Sequence, residues 1–187
     1  MLRKEQLRNR YYKLRKNRYF EVTDNFFKPL TSLLKKLFIN KPAYLSFYYP
    51  SNYEVNTLNL LNLIKRKKNI KLLLPVIKPN SQMKFIRWDH LDLLKVNKYG
   101  ILEPAIRKKS LIPNAVLVPL LAYDKNNYRL GYGKGYYDRF LNRYLKLNKN
   151  IITIGVAFSF QKYNKLPTNI HDVKLNYVLT EKGMKKL

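Results

Sequence analysis

The sequence predicts an α/β fold: a three-layer α/β/α sandwich around a mostly parallel sheet, formed as a single domain by 1–187. Short continuous apolar runs such as IKLLLPVI (70–77) are typical of parallel strands that are buried on both faces. These runs alternate with stretches in which apolar residues recur every three or four positions, the spacing of one helix face. No Ser/Gly-rich linker, low-complexity tract or internal repeat is visible, so one domain is the simplest organisation.

Helices and strands are predicted in alternating order. Apolar residues at helical spacing, such as Leu7, Tyr11 and Leu14 in the first element, predict helices over 3–20, 26–38, 55–67 and 136–147. Aromatic content, alternation or continuous apolar runs predict strands over 43–49, 70–77, 83–88, 115–124, 151–159 and 177–181. The stretch 91–114 is mixed and receives no element.

The formal net charge of +27 is the strongest bulk feature. Lys and Arg clusters bind nucleic acid or acidic substrates, but here the lysines are scattered and Asn, Ile and Tyr abound, which favours compositional bias. The absence of cysteine excludes a disulfide scaffold and a Cys-based zinc site. No apolar run approaches the ~18 residues of a membrane span, and the basic N-terminus lacks the apolar core of a secretory signal. We therefore expect a cytoplasmic monomer that acts on small molecules, with no membrane association and no dedicated nucleic-acid partner.

The stretch RLGYGKGYYDRFL (129–141) contains three of the six glycines of the chain. Glycine leaves no side chain in the way, so the amides of such a loop can approach an anion closely. A helix that begins near Tyr136 adds free N–H groups, and Arg129 and Lys134 add positive charge. The pattern is neither the Walker loop nor G-x-G-x-x-G. It predicts a phosphate cradle, with a tight turn or bulge as the alternative.

Asp138 lies in the first turn of that helix. A carboxylate there favours the helix dipole, and it can also hold Mg²⁺ that bridges phosphate oxygens. The alternative is an ordinary acid at a helix N-terminus. Of the neighbouring Tyr136 and Tyr137, we expect one to face the core and one to face the ligand.

The region around this glycine stretch resembles the signature of a known family. VPLLAYDKNNYRLGYGKGYYDRFL (118–141) is similar to the signature of the 5-formyltetrahydrofolate cyclo-ligases, also called methenyltetrahydrofolate synthetases. Further segments match in the same order: KEQLR (4–8), YEVNT (53–57), LLLPVI with MKF, GILEP (100–104), GVAFSFQ (155–161) and LPTNIHD (166–172). The resemblance implies an enzyme that uses ATP and Mg²⁺ to close 5-formyltetrahydrofolate to 5,10-methenyltetrahydrofolate, releasing ADP and phosphate. The γ-phosphoryl group would pass to the formyl oxygen, and N10 of the folate would displace phosphate.

The resemblance also implies roles for individual residues. The ATP-binding residues would be Lys4, Arg8, Arg129, Leu130, Gly131, Tyr132, Gly133, Lys134, Gly135, Tyr136 and Tyr137, with Lys134 and Arg129 catalytic. Asp138 and Asp172 would hold Mg²⁺. The folate site would comprise Tyr49, Glu54, Met83, Tyr99 and Tyr136, with the Glu54 carboxylate accepting from the pterin. Arg139 would add a phosphate contact, Glu103 a folate or loop contact, and His171 a structural hydrogen bond.

The chain departs from the family pattern at a few positions. Leu120 stands where the family commonly has Gly, and Asn127 where a turn often has Gly. Asn56 replaces an acid and Asn114 an Asp. These changes bear on turnover more than on fold, so a non-catalytic relative is one alternative and a basic nucleic-acid-binding protein another. Retention of Glu54 and of the loop acid and lysine favours the enzyme, and no helix-turn-helix or RNP motif supports the last alternative.

Overall fold

An eight-stranded sheet forms the centre of the computed structural model, which describes residues 3–64, 67, 69–79, 82–105, 108–147 and 150–186. In chain order the strands are β1 Ala43–Ser46, β2 Ile70–Ile77, β3 Met83–Arg87, β4 Leu94–Val96, β5 Leu102–Pro104, β6 Ser110–Leu111, β7 Ala115–Pro119, β8 Ala122–Asp124, β9 Arg129–Leu130, β10 Ile152–Val156, β11 Lys162–Tyr163, β12 Tyr177–Thr180 and β13 Gly183–Lys186. The large sheet has the order β13-β12-β10-β7-β1-β2-β3-β6.

The five central strands of this sheet, from β12 to β2, are parallel neighbours, whereas β13, β3 and β6 are added antiparallel at its two ends. The register places Leu45 of β1 opposite Leu72 on one side and Ala115 on the other. Parallel strands covered on both faces are apolar throughout, which is why the continuous apolar runs predicted them correctly. The mostly parallel sheet is therefore confirmed.

Helices cover both faces of the sheet. They are α1 Lys4–Arg18, α2 Lys28–Leu37, α3 Leu60–Ile64 and α4 Tyr136–Leu147. On one face α2 and α3 pack against Leu45, Phe47 and Leu117. On the other face Phe140 of α4 meets Phe85 of β3, with ring centroids 4.8 Å apart. The three-layer α/β/α arrangement is thus confirmed.

Two predicted helices are shorter in the structure. The predicted helix 26–38 begins as a 3₁₀ turn, Asp24–Phe27, before α2, whose first turn contains a proline. The predicted helix 55–67 consists of a 3₁₀ turn, Thr57–Asn59, and α3, while its positions 65 and 66 lie outside the described residues. Among the described residues, no helix is long and apolar enough to cross a membrane.

The predicted strand 115–124 is wrong as a single element. Its second half, β8, leaves the large sheet and forms a separate sheet of order β11-β8-β9. At the break, the side-chain amide of Gln161 donates to the carbonyls of Leu120 and Leu121, and the Leu121 amide donates to the Leu130 carbonyl. The apolar run thus continues through a buried bend, because both halves are buried although they belong to different sheets.

The first helix packs on this small sheet. Leu7 and Tyr11 of α1 are buried against Leu121, Leu130 and Leu166 in a hydrophobic cluster of their own. Because β9 leads directly into the glycine stretch, the packing of α1 on this small sheet places α1 next to the glycine stretch.

Candidate active site

A cleft of about 1070 Å³ opens where β1, β2 and β7 end. Ile77 and Pro119, the last residues of β2 and β7, lie in its wall. Every residue predicted for the nucleotide, folate and metal sites lines this cleft: Lys4 and Arg8 from α1, Tyr49 and Glu54 from the segment after β1, Met83 from β3, Tyr99 from the β4–β5 turn, 129–138 from β9 through the start of α4, and Asp172 from the segment before β12. Ligands of parallel sheets bind at this edge.

A hairpin delivers the glycine loop, 131–135, to the cleft. The buried Asp124 carboxylate accepts from the amides of Asn126 and Tyr128, at 2.9 and 3.0 Å, and so shapes the turn between β8 and β9. Asn127 in this turn has a φ of 74°, the left-handed conformation that asparagine tolerates best after glycine. Its replacement of a glycine is therefore structurally mild.

The three glycines of the loop differ in their requirements. Gly133 and Gly135 have φ values of 96° and 68°, whereas Gly131 does not lie in the left-handed region. A Cβ on Gly133 would lie 3.0 Å from Cζ of Arg8, whose Nε donates to the Gly131 carbonyl at 3.0 Å. The absence of a side chain at Gly133 thus leaves room for the Arg8 guanidinium of α1 against the backbone of the loop.

An ion pair joins the two segments that flank the loop, β9 and the first turn of α4. Arg129 and Asp138 are 2.9 Å apart, and the same Asp138 oxygen, Oδ1, accepts from the Val173 amide at 3.2 Å. Arg129 is nearly buried and also donates to the Val173 carbonyl. Asp138 is therefore more than a helix N-terminal acid, since it fixes the arginine that begins the loop.

A second ion pair joins the start of α1 to the segment before β12. Lys4 Nζ lies 2.6 Å from Oδ2 of Asp172, which also accepts from the Asn169 amide at 2.7 Å. Within the part of the chain that the structure describes, no cluster of three potential metal ligands occurs. Mg²⁺ binds through one or two carboxylates and completes its shell with water and substrate phosphates. The contacts above occupy one oxygen each of Asp138 and Asp172, so this donor set fits Mg²⁺ that arrives with a nucleotide.

Glu54 is a buried carboxylate in the wall of the cleft, with 7% of its surface exposed. Its Oε2 accepts from the Ser51 amide at 3.0 Å. Burial raises the pKa of Glu54, while the Arg15 guanidinium, the Ser51 amide and the Tyr132 hydroxyl act to lower that pKa. A carboxylate held in this way is suited to accept hydrogen bonds from a ring N–H and an amino group.

Tyrosines form much of the remaining wall. The Tyr99 and Tyr136 hydroxyls are 2.6 Å apart, and this hydrogen bond lowers the pKa of Tyr99. Tyr137 also lines the cleft, but its ring packs against Phe85, with centroids 6.5 Å apart, and among the described residues its buried hydroxyl has no hydrogen-bond partner. Burial raises the pKa of Tyr137 above its usual range. The expected division into one core-facing and one cleft-facing tyrosine is not clear-cut, because Tyr136 and Tyr137 both line the cleft and both pack against the core.

The additional roles predicted for Glu103, His171 and Arg139 have different outcomes in the structure. Glu103 does not line the cleft; it is buried and accepts from the Ile77 amide at 3.1 Å and the Asn97 side chain at 3.3 Å, so of the two predicted roles the loop contact is the one it fills. His171 lines the cleft and accepts from Asn142 at 2.7 Å through its carbonyl, a structural contact. Arg139 lines the cleft with its guanidinium 5.1 Å from the Tyr136 ring.

Sequence reasoning missed Arg15 as a part of this region. Only 1% of its surface is exposed, and it donates to the Leu120 carbonyl at 3.1 Å and to the Asn52 carbonyl at 2.5 Å. A signal existed, because Arg15 follows Leu7 and Tyr11 at steps of four along the buried face of α1. A charge in a buried stripe is rare unless it is fully paired.

The departures from the family pattern have structural explanations. A Cβ on Gly155 would lie 2.8 Å from the Leu120 side chain, so the buried Leu120 occupies space that this glycine leaves open. Asn114 accepts from the Tyr44 amide at 2.8 Å and donates to the Pro42 carbonyl at 3.1 Å, the second of which an aspartate could not do. Asn56 caps the 3₁₀ turn by accepting from the Leu58 amide.

The fold and the cleft define a class of protein: an α/β protein with a ligand site at the carboxyl ends of parallel strands, reached by a glycine loop that leads into a helix. The comparisons with known proteins narrow this class.

The sequence model of the 5-formyltetrahydrofolate cyclo-ligase family matches residues 1–181. A 5-formyltetrahydrofolate cyclo-ligase of Haemophilus influenzae is 33% identical over 142 residues, covering 72% of this chain and 74% of that protein. The one of Mycoplasma genitalium is 31% identical over 164 residues, covering 78% and 94%. The solved structure of Aquifex aeolicus 5,10-methenyltetrahydrofolate synthetase matches with a TM-score of 0.75 and 30% identity, covering 98% of this chain and 92% of that one. The chain belongs to the 5-formyltetrahydrofolate cyclo-ligase family and is an enzyme of folate metabolism.

Proposed function

We propose that this enzyme uses ATP and Mg²⁺ to convert 5-formyltetrahydrofolate to 5,10-methenyltetrahydrofolate, releasing ADP and phosphate. The observation that carries the proposal is that the glycine loop and the buried Glu54 line one cleft. A phosphoryl donor and a folate bound to these two features would meet within it.

The nucleotide phosphates would bind along the glycine loop. Arg8 and Arg129 flank its backbone, and Lys134 is exposed at its tip. In phosphoryl transfer most of the catalysis is positioning and charge neutralisation, so this group of cations at one loop suits the reaction. Mg²⁺, held by Asp138 and Asp172, would neutralise phosphate charge when it is bound.

The folate would occupy the other side of the cleft. Glu54 would accept from the pterin N–H and amino groups. Tyr49, Met83 and Tyr99 would form the wall against its rings, and Tyr136, bonded to Tyr99 at 2.6 Å, would lie between the two ligands. Burial of Glu54 strengthens its hydrogen bonds to the substrate because little water competes.

The chemical steps follow from the poor leaving ability of a formamide oxygen. The formyl oxygen attacks the γ-phosphorus and ADP leaves, which gives an iminium phosphate at N5. N10 then attacks the formyl carbon, the C–O bond to phosphate breaks, and N10 loses its proton. Lys134 and Arg129 would stabilise the charge on the transferring phosphoryl group.

We also infer that the enzyme acts in the cytoplasm as a monomer on small-molecule substrates, with no dedicated nucleic-acid partner. The distribution of its 38 Lys and Arg residues along the whole chain supports the absence of a dedicated nucleic-acid partner.

The direct test is to mix the purified protein with ATP, Mg²⁺ and 5-formyltetrahydrofolate. The absorbance of the methenyl product should appear, with one ADP formed per product molecule. Omission of ATP or chelation of Mg²⁺ should abolish both signals. No absorbance change at any protein concentration would overturn the proposal, and product without ADP would overturn the role of ATP.

A further inference from the structure

Arg15 is an almost fully buried charged side chain next to the cleft, and the reaction proposed above gives it no role. It belongs to α1, yet its guanidinium reaches three other segments. It donates to the Leu120 carbonyl at the β7–β8 break, to the Asn52 carbonyl and to the Tyr132 hydroxyl of the glycine loop. A buried guanidinium needs several acceptors, because each unsatisfied donor costs free energy; among the described residues the Arg15 Nε has none.

The Asn52 contact holds an unusual piece of backbone. Asn52 and Tyr53 have φ values of 50° and 61°, and the second is an uncommon conformation for a bulky residue. Such segments persist only where their surroundings hold them. Glu54 follows directly, so the hydrogen bond from Arg15 to the Asn52 carbonyl fixes the backbone that presents the Glu54 carboxylate.

The Tyr132 contact leads to the same carboxylate. The Tyr132 hydroxyl, which accepts from Arg15, also helps to lower the pKa of Glu54. The titratable groups that interact electrostatically with Glu54 include Arg15 from α1, Tyr132 from the glycine loop, Tyr48 from the segment after β1 and Tyr137 from α4. Of these four, Arg15 alone is positively charged.

We propose that Arg15 is the positioning residue for Glu54: by bonding both the Asn52 carbonyl and the Tyr132 hydroxyl, it holds the Glu54 carboxylate in place for the substrate and links it to the glycine loop. This inference rests on the proposed role of Glu54 in binding folate. It predicts that Arg15 affects folate binding through Glu54, although it touches no substrate.

The test measures the affinity for 5-formyltetrahydrofolate by calorimetry as a function of pH, without turnover. In Arg15→Met the counter-charge is lost, so protonated Glu54 persists to higher pH. The acid limb, which is the low-pH part of the affinity profile where protonation of Glu54 weakens folate binding, should move upward by about 1 pH unit relative to wild type. On that limb the affinity should be about tenfold lower than in wild type, and at alkaline pH it should recover. Arg15→Lys should restore much of the wild-type profile. A residue that only supports the fold would lower affinity without moving the limb.

A double-mutant cycle then tests the route. In a Glu54→Gln background, Arg15→Met should change folate affinity by less than about twofold, because the group through which it acts is gone. Arg18→Met is the matched control, since it makes the same change on the same helix at an exposed residue over the Phe160 ring. Equal losses from Arg15→Met in both backgrounds, or an unmoved acid limb, would overturn the proposal.

The proposal remains testable if Arg15→Met does not fold. Tyr132→Phe, at a partly exposed site, removes only the hydroxyl that Arg15 bonds and should move the acid limb in the same direction. An unmoved limb would then count against the proposal. Failure of the proposed function is seen separately, as wild-type protein that makes no methenyl product or a Glu54→Gln variant that binds folate as wild type does.

Discussion

Asp138 holds Arg129 at 2.9 Å and so joins the residue that begins the glycine segment to the first turn of α4. The Val173 amide donates to the same carboxylate oxygen, which ties in the segment that carries Asp172. The proposed metal ligand is therefore also part of the structural frame of the loop. A variant that separates these two roles is the most informative one.

Asp138→Asn should make that separation. Its amide oxygen can still accept from Arg129 and the Val173 amide, so the protein should fold. The negative charge of a proposed ligand is lost, and the Mg²⁺ concentration for half-maximal rate should rise at least about 10-fold, because changes to the partners of metal ligands already cost that much. The measurement is initial rate against Mg²⁺ concentration. Asp89→Asn, at an exposed acid paired with His90, is the control. Unchanged Mg²⁺ dependence would remove Asp138 from the metal site.

Lys134→Ala should reduce kcat by about 10²- to 10³-fold, the typical effect of removing one group that stabilises developing charge. Its side chain is exposed, so the thermal midpoint should stay within about 2 °C of wild type. Lys185→Ala, at an exposed lysine of β13, provides the same charge change away from the cleft. A wild-type rate for Lys134→Ala would make Lys134 a bystander.

Alanine at Gly133 and at Gly131 should have different effects on stability. Gly133→Ala forces an L-residue to a φ of 96° and presses its Cβ towards Arg8, so we expect a loss of about 1–2 kcal/mol in the free energy of unfolding and a thermal midpoint lower by about 2–8 °C. Gly131→Ala meets open space and should leave the midpoint unchanged. Thermal unfolding without ligands distinguishes them, and equal midpoints would contradict the loop conformation.

The Tyr99–Tyr136 pair should be visible in a tyrosinate titration. A hydrogen bond to the Tyr99 phenolate favours its ionised form, so its pKa is lowered and Tyr99 should ionise at lower pH than an ordinary tyrosine. Ultraviolet difference absorbance should show this early step in wild type and lose it in Tyr136→Phe. Tyr12→Phe, at an exposed tyrosine of α1, should retain it. An early step that survives in Tyr136→Phe would exclude the pairing.

Local pattern was sufficient for the helices and for the parallel strands of the large sheet, but it missed the short strands β4, β5, β6, β9 and β11. The helix 136–147 and the strand 70–77 agree with α4 and β2 at both ends, because their apolar spacing reflects burial within one element. The run 115–124 misled for the same reason, since both halves are buried but in different sheets. The strand β13 was not predicted, because its residues are mostly polar and glycine; it is a strand because β12 offers it an edge.

By itself, the sequence determined the family and the residues that line the cleft, because glycine spacing, a flanking acid and recurring short segments are readable along the chain. Only the tertiary structure decided which charges meet. Lys4 reaches Asp172 across 168 positions, and Arg15 reaches Tyr132 across 117. In the sequence Arg15 resembles the other cations of α1; the packing of that helix on the small sheet buries this one, bonds it to the backbone two residues before Glu54 and leaves Arg18 exposed. Burial removes competing water, so it makes one arginine among many a strong electrostatic partner.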